Sequence, residues 1–102
     1  MITISSEKIG PLKSRIPIEE LLSSKGRVKI IKILAMAGEL NISEIARRAK
    51  LNHEATAQHL NFLKKLGLIQ EKRFGRIKIY RFKIENMSAK ILINLFRSWD
   101  GN

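Results

Sequence analysis

Apolar residues keep helical spacing through the segments before Gly67 and alternate over 68–84, and this change of period constrains the fold more than any other feature. Val28, Ile31, Leu34 and Ala35 recur at i, i+3, i+6 and i+7, with Lys29, Lys32 and Met36 opposite, which predicts a helix over 27–37 ended by Gly38. Asn41, followed three residues later by Glu44, resembles a capping box for a helix carrying Ile42, Ile45, Ala46 and Ala49. Lys50 to Asn52 form a short break, and Asn52 suits the N-cap of a longer helix reaching Leu66, closed by Gly67. Past Gly67, the segments 68–74 and 76–84 are rich in β-branched and aromatic residues and flank Gly75, so they read as a hairpin.

The flanks complete the outline. Met1 to Ile16 has no helical period and reads as an arm. Pro17 opens a short helix to Ser23 carrying Ile18, Leu21 and Leu22, and Ser24 to Gly26 is expected to break or bend it. Ile91, Leu92, Leu95, Phe96 and Trp99 make an apolar stripe behind Asn86 or Ser88, predicting a last helix that ends near Trp99. The division is an arm over 1–16, a central domain over 17–84 and a terminal helix over 85–102. The class is mainly α with a small β-hairpin (α+β), and 102 residues with 44% apolar content suffice for one core.

Twenty Lys and Arg against nine Asp and Glu give a formal charge of +11, which suits a partner that is a polyanion and releases counterions on binding. The absence of cysteine excludes disulfides, thiolate metal sites and cysteine nucleophiles. No run is apolar and long enough for a membrane span and no signal-peptide pattern opens the chain, so a cytoplasmic protein is expected. The richness in Ile and Lys is compatible with an archaeal thermophile. An enzyme is not expected: no paired acidic motif, phosphate-binding glycine loop or supported nucleophile is present.

The stretch from Ser43 to Leu60 meets the requirements of a helix-turn-helix. Ile45, Ala49, Leu51 and Leu60 supply core contacts, Ala46 is small where two helices approach, and Lys50 stands in a turn that favours glycine, so it must accept a strained conformation. With the hairpin behind it, the pattern is a winged helix-turn-helix. On these residues the chain resembles the ArsR-type winged-helix transcription regulators, over roughly Ile18 to Phe82. The resemblance rests on Ile42 to Ala46, on His59 to Ile69, on Gly75-Arg76 and on Tyr80 to Phe82. MarR-like and archaeal Lrs14-like regulators share much of this pattern.

The resemblance implies that the helix 52–66 is a recognition helix lying in a major groove of double-stranded DNA. Thr56, Leu60 and Leu63 mark its inward stripe with His59 beside them, while Glu54, Ala57, Gln58 and Asn61 are expected to face outward. Gln58 and Asn61 are the favoured base readers, since an amide pairs bidentately with adenine, and Glu54 can accept from a cytosine amino group. Asn52 and His53 suit either bases or phosphates. The basic hairpin, with Lys72, Arg73, Arg76 and Lys78 around Gly75, is expected on phosphates or in a minor groove, and Arg47, Arg48, Lys64 and Lys65 widen that footprint. His59 reads as a packed, hydrogen-bonded core histidine, and Tyr80 and Phe82 as core anchors.

In the resembling family, terminal helices pair across a two-fold axis. The corresponding expectation here is a homodimer through Leu21, Leu22, Ile91, Leu92, Leu95, Phe96 and Trp99. No cofactor and no metal is expected: His53 and His59, six positions apart, do not share a helix face. No effector site is visible. A dimeric repressor acting by occlusion is the leading expectation for so small a chain, with a weakly specific architectural DNA binder and a winged-helix protein-protein module as the alternatives.

Overall fold

In the computed structural model residues 16–100 are described, so the expected arm lies outside the described residues apart from Ile16, which packs against the core. The elements are α1 (Ile18–Leu21), α2 (Lys25–Ala37), β1 (Glu39–Asn41), α3 (Ile42–Ala49), α4 (His53–Lys65), β2 (Ile69–Phe74), β3 (Ile77–Phe82) and α5 (Met87–Asp100).

Proline opens α1, and each of the other four helices begins where a short polar side chain satisfies an orphan amide. Ser24 accepts from the Arg27 amide, so α2 starts at Lys25 and runs through Gly26, where the sequence suggested a break. Gly26 serves a different purpose: a Cβ there would lie 3.2 Å from His59 Nε2 and 3.3 Å from Leu51 Cδ1, so its bare backbone lets α2 approach α4. Asn41 Oδ1 accepts from Glu44 N at 2.8 Å and Asn52 Oδ1 from Ala55 N at 2.7 Å, as the spacings predicted. The reciprocal half of the capping box is not made, because the Glu44 carboxylate turns to Arg47 and Arg48 instead. Asn86 caps α5 by accepting from Ala89 N and donates to Gly67 O at 3.0 Å, which ties the last helix to the turn after α4.

The sheet has three antiparallel strands in the order β1-β3-β2. The hairpin was expected, and β1 adds a third strand. Its three residues are too short for a periodic signal, and its place comes from pairing Leu40 with Tyr80 and Glu39 with Arg81 on β3. On the hairpin, Ile69 faces Phe82 and Phe74 faces Ile77.

Ile30, Ile31, Leu34, Ile45, Leu60, Leu63 and Ile69 are fully buried, joined by Tyr80 and Phe82 from β3 and by Ala89, Leu92 and Ile93 from α5. Each large aliphatic side chain so placed contributes roughly 1.5–3 kcal/mol of burial. The terminal helix therefore shares one core with the winged helix. Ile30 was not foreseen; it sits beside the predicted stripe, because α2 is covered on two sides by α4 and α5. Among the described residues no helix is long and apolar enough to cross a membrane.

Candidate nucleic-acid interface

The candidate surface is built on the α3–α4 turn. Ala46 and Ala49 are buried where the helices meet, and Lys50 adopts φ 58°, ψ 44°, the left-handed conformation that the missing glycine forces on it. Lys29 on α2 donates through Nζ to Ala49 O at 3.3 Å and satisfies a carbonyl at the end of α3.

Helix α4 is anchored by Thr56, Leu60 and Leu63, all buried as expected, with Thr56 Oγ1 donating to Asn52 O at 2.9 Å. Asn52, His53, Glu54, Gln58 and Asn61 are exposed. Glu54, Gln58 and Asn61 stand at i, i+4 and i+7 and so share one ridge. Ala57 departs from its expected outward position: it borders the ridge and packs partly against the core. Part of the Asn52 amide is committed to its cap.

His59 is half-buried beside Gly26. Burial, and then the Arg27 guanidinium, push its pKa below the ordinary histidine value. It is packed, as the sequence suggested, but its ring forms no hydrogen bond among the described residues. Arg27, which no motif singled out, lies with its guanidinium 4.1 Å from the Phe62 ring centroid and donates to Leu21 O and Glu20 O, each at 2.9 Å. It fastens α1 to the back of α4.

Most of the expected phosphate contacts are held by carboxylates. Arg47 and Arg48 both pair with Glu44, whose pKa their hydrogen bonds lower to about 2. Glu71 receives Lys64 Nζ at 2.9 Å, Arg73 Nε at 3.3 Å and the Tyr80 hydroxyl at 3.3 Å. The Lys64 bond leads in lowering the Glu71 pKa, while burial and then the Glu71 charge raise Tyr80 to about 12. Lys72 pairs with Glu39 at 2.9 Å. Lys65 is exposed on α4, and Arg76 and Lys78 make no ion pair among the described residues. Tyr80 and Phe82 are buried, as anchors should be.

The expected dimer residues divide. Leu21 and Leu92 lie in the chain's own core, and Leu22 and Phe96 pack against it. Ile91, Leu95 and Trp99 are exposed, the last at 80%, and Met87 extends their line at 76%. The sequence stripe merged two faces of α5, one turned inward on Ala89, Leu92 and Ile93 and one left outward. Two further exposed apolar residues, Phe74 and Ile77, flank the hairpin turn; their signal in the sequence was two bulky apolar residues on either side of Gly75-Arg76.

The family described as "Bacterial regulatory protein, arsR family" matches residues 24–71, from the cap of α2 into β2. The cadmium resistance transcriptional regulatory protein CadC of Listeria innocua is 34% identical over 64 residues, 63% of this chain and 54% of that protein. A CadC homolog of Staphylococcus aureus is 30% identical over 70 residues, 69% of this chain and 58% of its own length. The chain thus spans little more than half the length of these relatives. Among solved structures, reduced HlyU from Vibrio cholerae superimposes with a TM-score of 0.71 at 22% identity, covering 83% of this chain and 86% of that one. The homodimeric winged helix-turn-helix DNA-binding domain Mb0332 from Mycobacterium bovis gives 0.65 at 25% identity, with 82% and 75% covered. Fold, motif and matches agree that residues 24–71 form a helix-turn-helix similar to that of the arsR family, carried on a winged-helix fold.

Proposed function

We propose that this chain is a homodimeric transcription regulator that binds double-stranded DNA in the cytoplasm, with α4 in a major groove and the β2–β3 hairpin on flanking phosphates or in a minor groove. The observation that carries the reading is the polar ridge of Glu54, Gln58 and Asn61, exposed along a helix whose other side is locked into the core by Thr56, Leu60 and Leu63. Such a helix is rigid where it must be and offers hydrogen-bonding side chains where base edges would lie. Support for the dimer comes from the outward line of Met87, Ile91, Leu95 and Trp99 on α5, and from the homodimeric state in which the Mycobacterium bovis domain is described. Repression by occlusion of a promoter is the simplest action for a dimer that covers its site.

The cadmium response named for the relatives is not extended to this chain. It carries no cysteine, and among the described residues no group of three or more histidines and carboxylates is placed to hold a metal ion. The residues therefore do not fit a soft-metal site.

Selection of bound duplexes from a random pool tests the proposal. A regulator binds its best selected site on the order of 10³-fold or more tighter than random DNA, whereas a ratio within about tenfold identifies an architectural binder and refutes the proposal. Gln58→Ala and Asn61→Ala relax base preference, and Arg76→Ala weakens binding to all sequences. Light scattering tests the assembly: a monomer at tens of micromolar removes the dimer.

A further inference from the structure

The tip of the hairpin is shaped unlike a merely solubilising turn. Phe74 and Ile77 stand opposite each other across the two-residue turn Gly75-Arg76, and they are 57% and 53% exposed. Gly75 takes φ 64°, which a two-residue hairpin turn with glycine first requires, so the two strands stay paired to their last residues. Register places Phe74 and Ile77 with Lys72 on the outer face of the hairpin, while Arg73 and Lys78 lie on the other face and Arg76 sits in the turn itself. The outcome is an apolar knob with cations on each side.

That arrangement complements a DNA minor groove, whose sugar-lined walls run between two rows of phosphate. The hairpin also has reach. From Ile69, anchored in the core, to Phe74 the strand rises about 17 Å at roughly 3.4 Å per residue. Half of the ~34 Å helical repeat separates a major groove from the next minor groove. Resting on the DNA-binding reading above, we propose that Phe74 and Ile77 form an apolar wedge that enters the minor groove beside the α4 contact and bends the duplex by partly unstacking a base step. The cations set the wedge in place, and deformability of the step adds selectivity for TA and CA steps at a position no polar side chain reads.

The test uses the 102-residue chain and a 24-base-pair duplex of mixed sequence containing TA and CA steps, short enough at about 3.4 Å per base pair to keep a donor and an acceptor dye at its ends within energy-transfer range, in about 50 mM salt. Binding by the wild type is expected to raise energy transfer as the ends approach. The double variant Phe74→Thr/Ile77→Thr places a β-branched residue in each strand. It is expected to bind with the same salt slope, about three- to thirtyfold more weakly, and without the rise. Phe74→Leu, which preserves an apolar tip, retains most of the bend and controls for loss of the hairpin. Wild-type binding with no change in energy transfer overturns the wedge and leaves the DNA-binding reading standing, and so does equal bending by the double variant. No binding at low salt by the wild type overturns both. Phosphatidylglycerol vesicles test the competing use of a cationic, apolar tip: tip-dependent vesicle binding with unaltered DNA bending assigns the pair to a lipid surface and overturns the wedge.

Discussion

Replacing Lys50 by glycine stabilises this domain, and the size of the gain follows from the backbone. At φ 58°, ψ 44° an L-residue sits in the left-handed region, which costs roughly 1–2 kcal/mol relative to its preferred conformations. Glycine removes that strain but widens the unfolded ensemble, an opposing term of about 0.4–1 kcal/mol. The difference is a net gain of about 0.5–1 kcal/mol. Lys50 is exposed, and the neighbouring carbonyl cap by Lys29 is independent of its side chain. Urea unfolding at fixed protein concentration should therefore show a higher midpoint with an unchanged m-value. The thermal midpoint should rise by about 2–8 °C, from roughly 4–8 °C per kcal/mol in a domain of this size. Lys50→Ala separates backbone from charge: it keeps the strain and should give no gain. Gly38→Ala supplies the opposite sign, because Gly38 has φ 87°, ψ −60° and nothing within 4 Å of the added Cβ, so its loss comes from backbone alone. A neutral or destabilising Lys50→Gly, or an equal gain from Lys50→Ala, refutes the reasoning.

His59 gives a pH dependence with a defined sign. Its pKa is lowered on folding, so the unfolded chain binds the proton more readily; the stability it confers is complete above the ordinary value near 6.5 and is lost as pH falls through the lower folded value. Thermal midpoints measured from pH 7.5 to 5 should fall, and His59→Gln should flatten that fall. The carboxylates act in a separate window, since the stability linked to Glu44 is lost only from about 4.5 down to about 2. Arg27→Met keeps an apolar stem but removes the contact with Phe62 and the bonds to Leu21 and Glu20. A loss of about 1–2 kcal/mol is expected, with amide exchange rising first in α1.

What was legible in the sequence was whatever local chemistry decides. Asn41 and Asn52 cap because a short amide three residues ahead of an orphan N–H does so in any context, and Thr56, Leu60 and Leu63 point inward because helical geometry leaves no choice. The features that were hidden depend on partners distant in sequence. β1 exists only through β3, and a glycine stands inside α2 at position 26 because α4 is close behind it. The dimer residues were partly misplaced for a related reason: apolar spacing on α5 reports that a residue is covered, not by which surface, so Leu92 and Ile91 look alike until the core has claimed one of them. The candidate interface was similarly half visible. Cations could be counted from the chain, and helical spacing already places Glu44 beside Arg47 and Arg48, but Glu71 and Glu39, which hold cations across elements, could not be assigned.

That assignment changes what the net charge means for binding. If Arg47, Arg48, Lys64, Lys65, Lys72, Arg73, Arg76 and Lys78 all neutralised phosphates, the salt slope per protomer would be about −7, from roughly 0.9 per contact. Arg47, Arg48, Lys64, Lys72 and Arg73 already pair with Glu44, Glu71 and Glu39. A cation that leaves a carboxylate for a phosphate releases one counterion from DNA and obliges the carboxylate to take up another, so its net contribution approaches zero. The slope should lie well below the count of cations, nearer −2 to −4 per protomer. Glu71 is the place to test this, because one carboxylate holds both Lys64 and Arg73. Glu71→Gln keeps an acceptor for the Tyr80 hydroxyl but removes the charge, and it should steepen the slope by up to about 2 while tightening binding at low salt. A slope that does not move on that substitution means the pairs are spectators, and that α4 and the hairpin meet DNA through other cations.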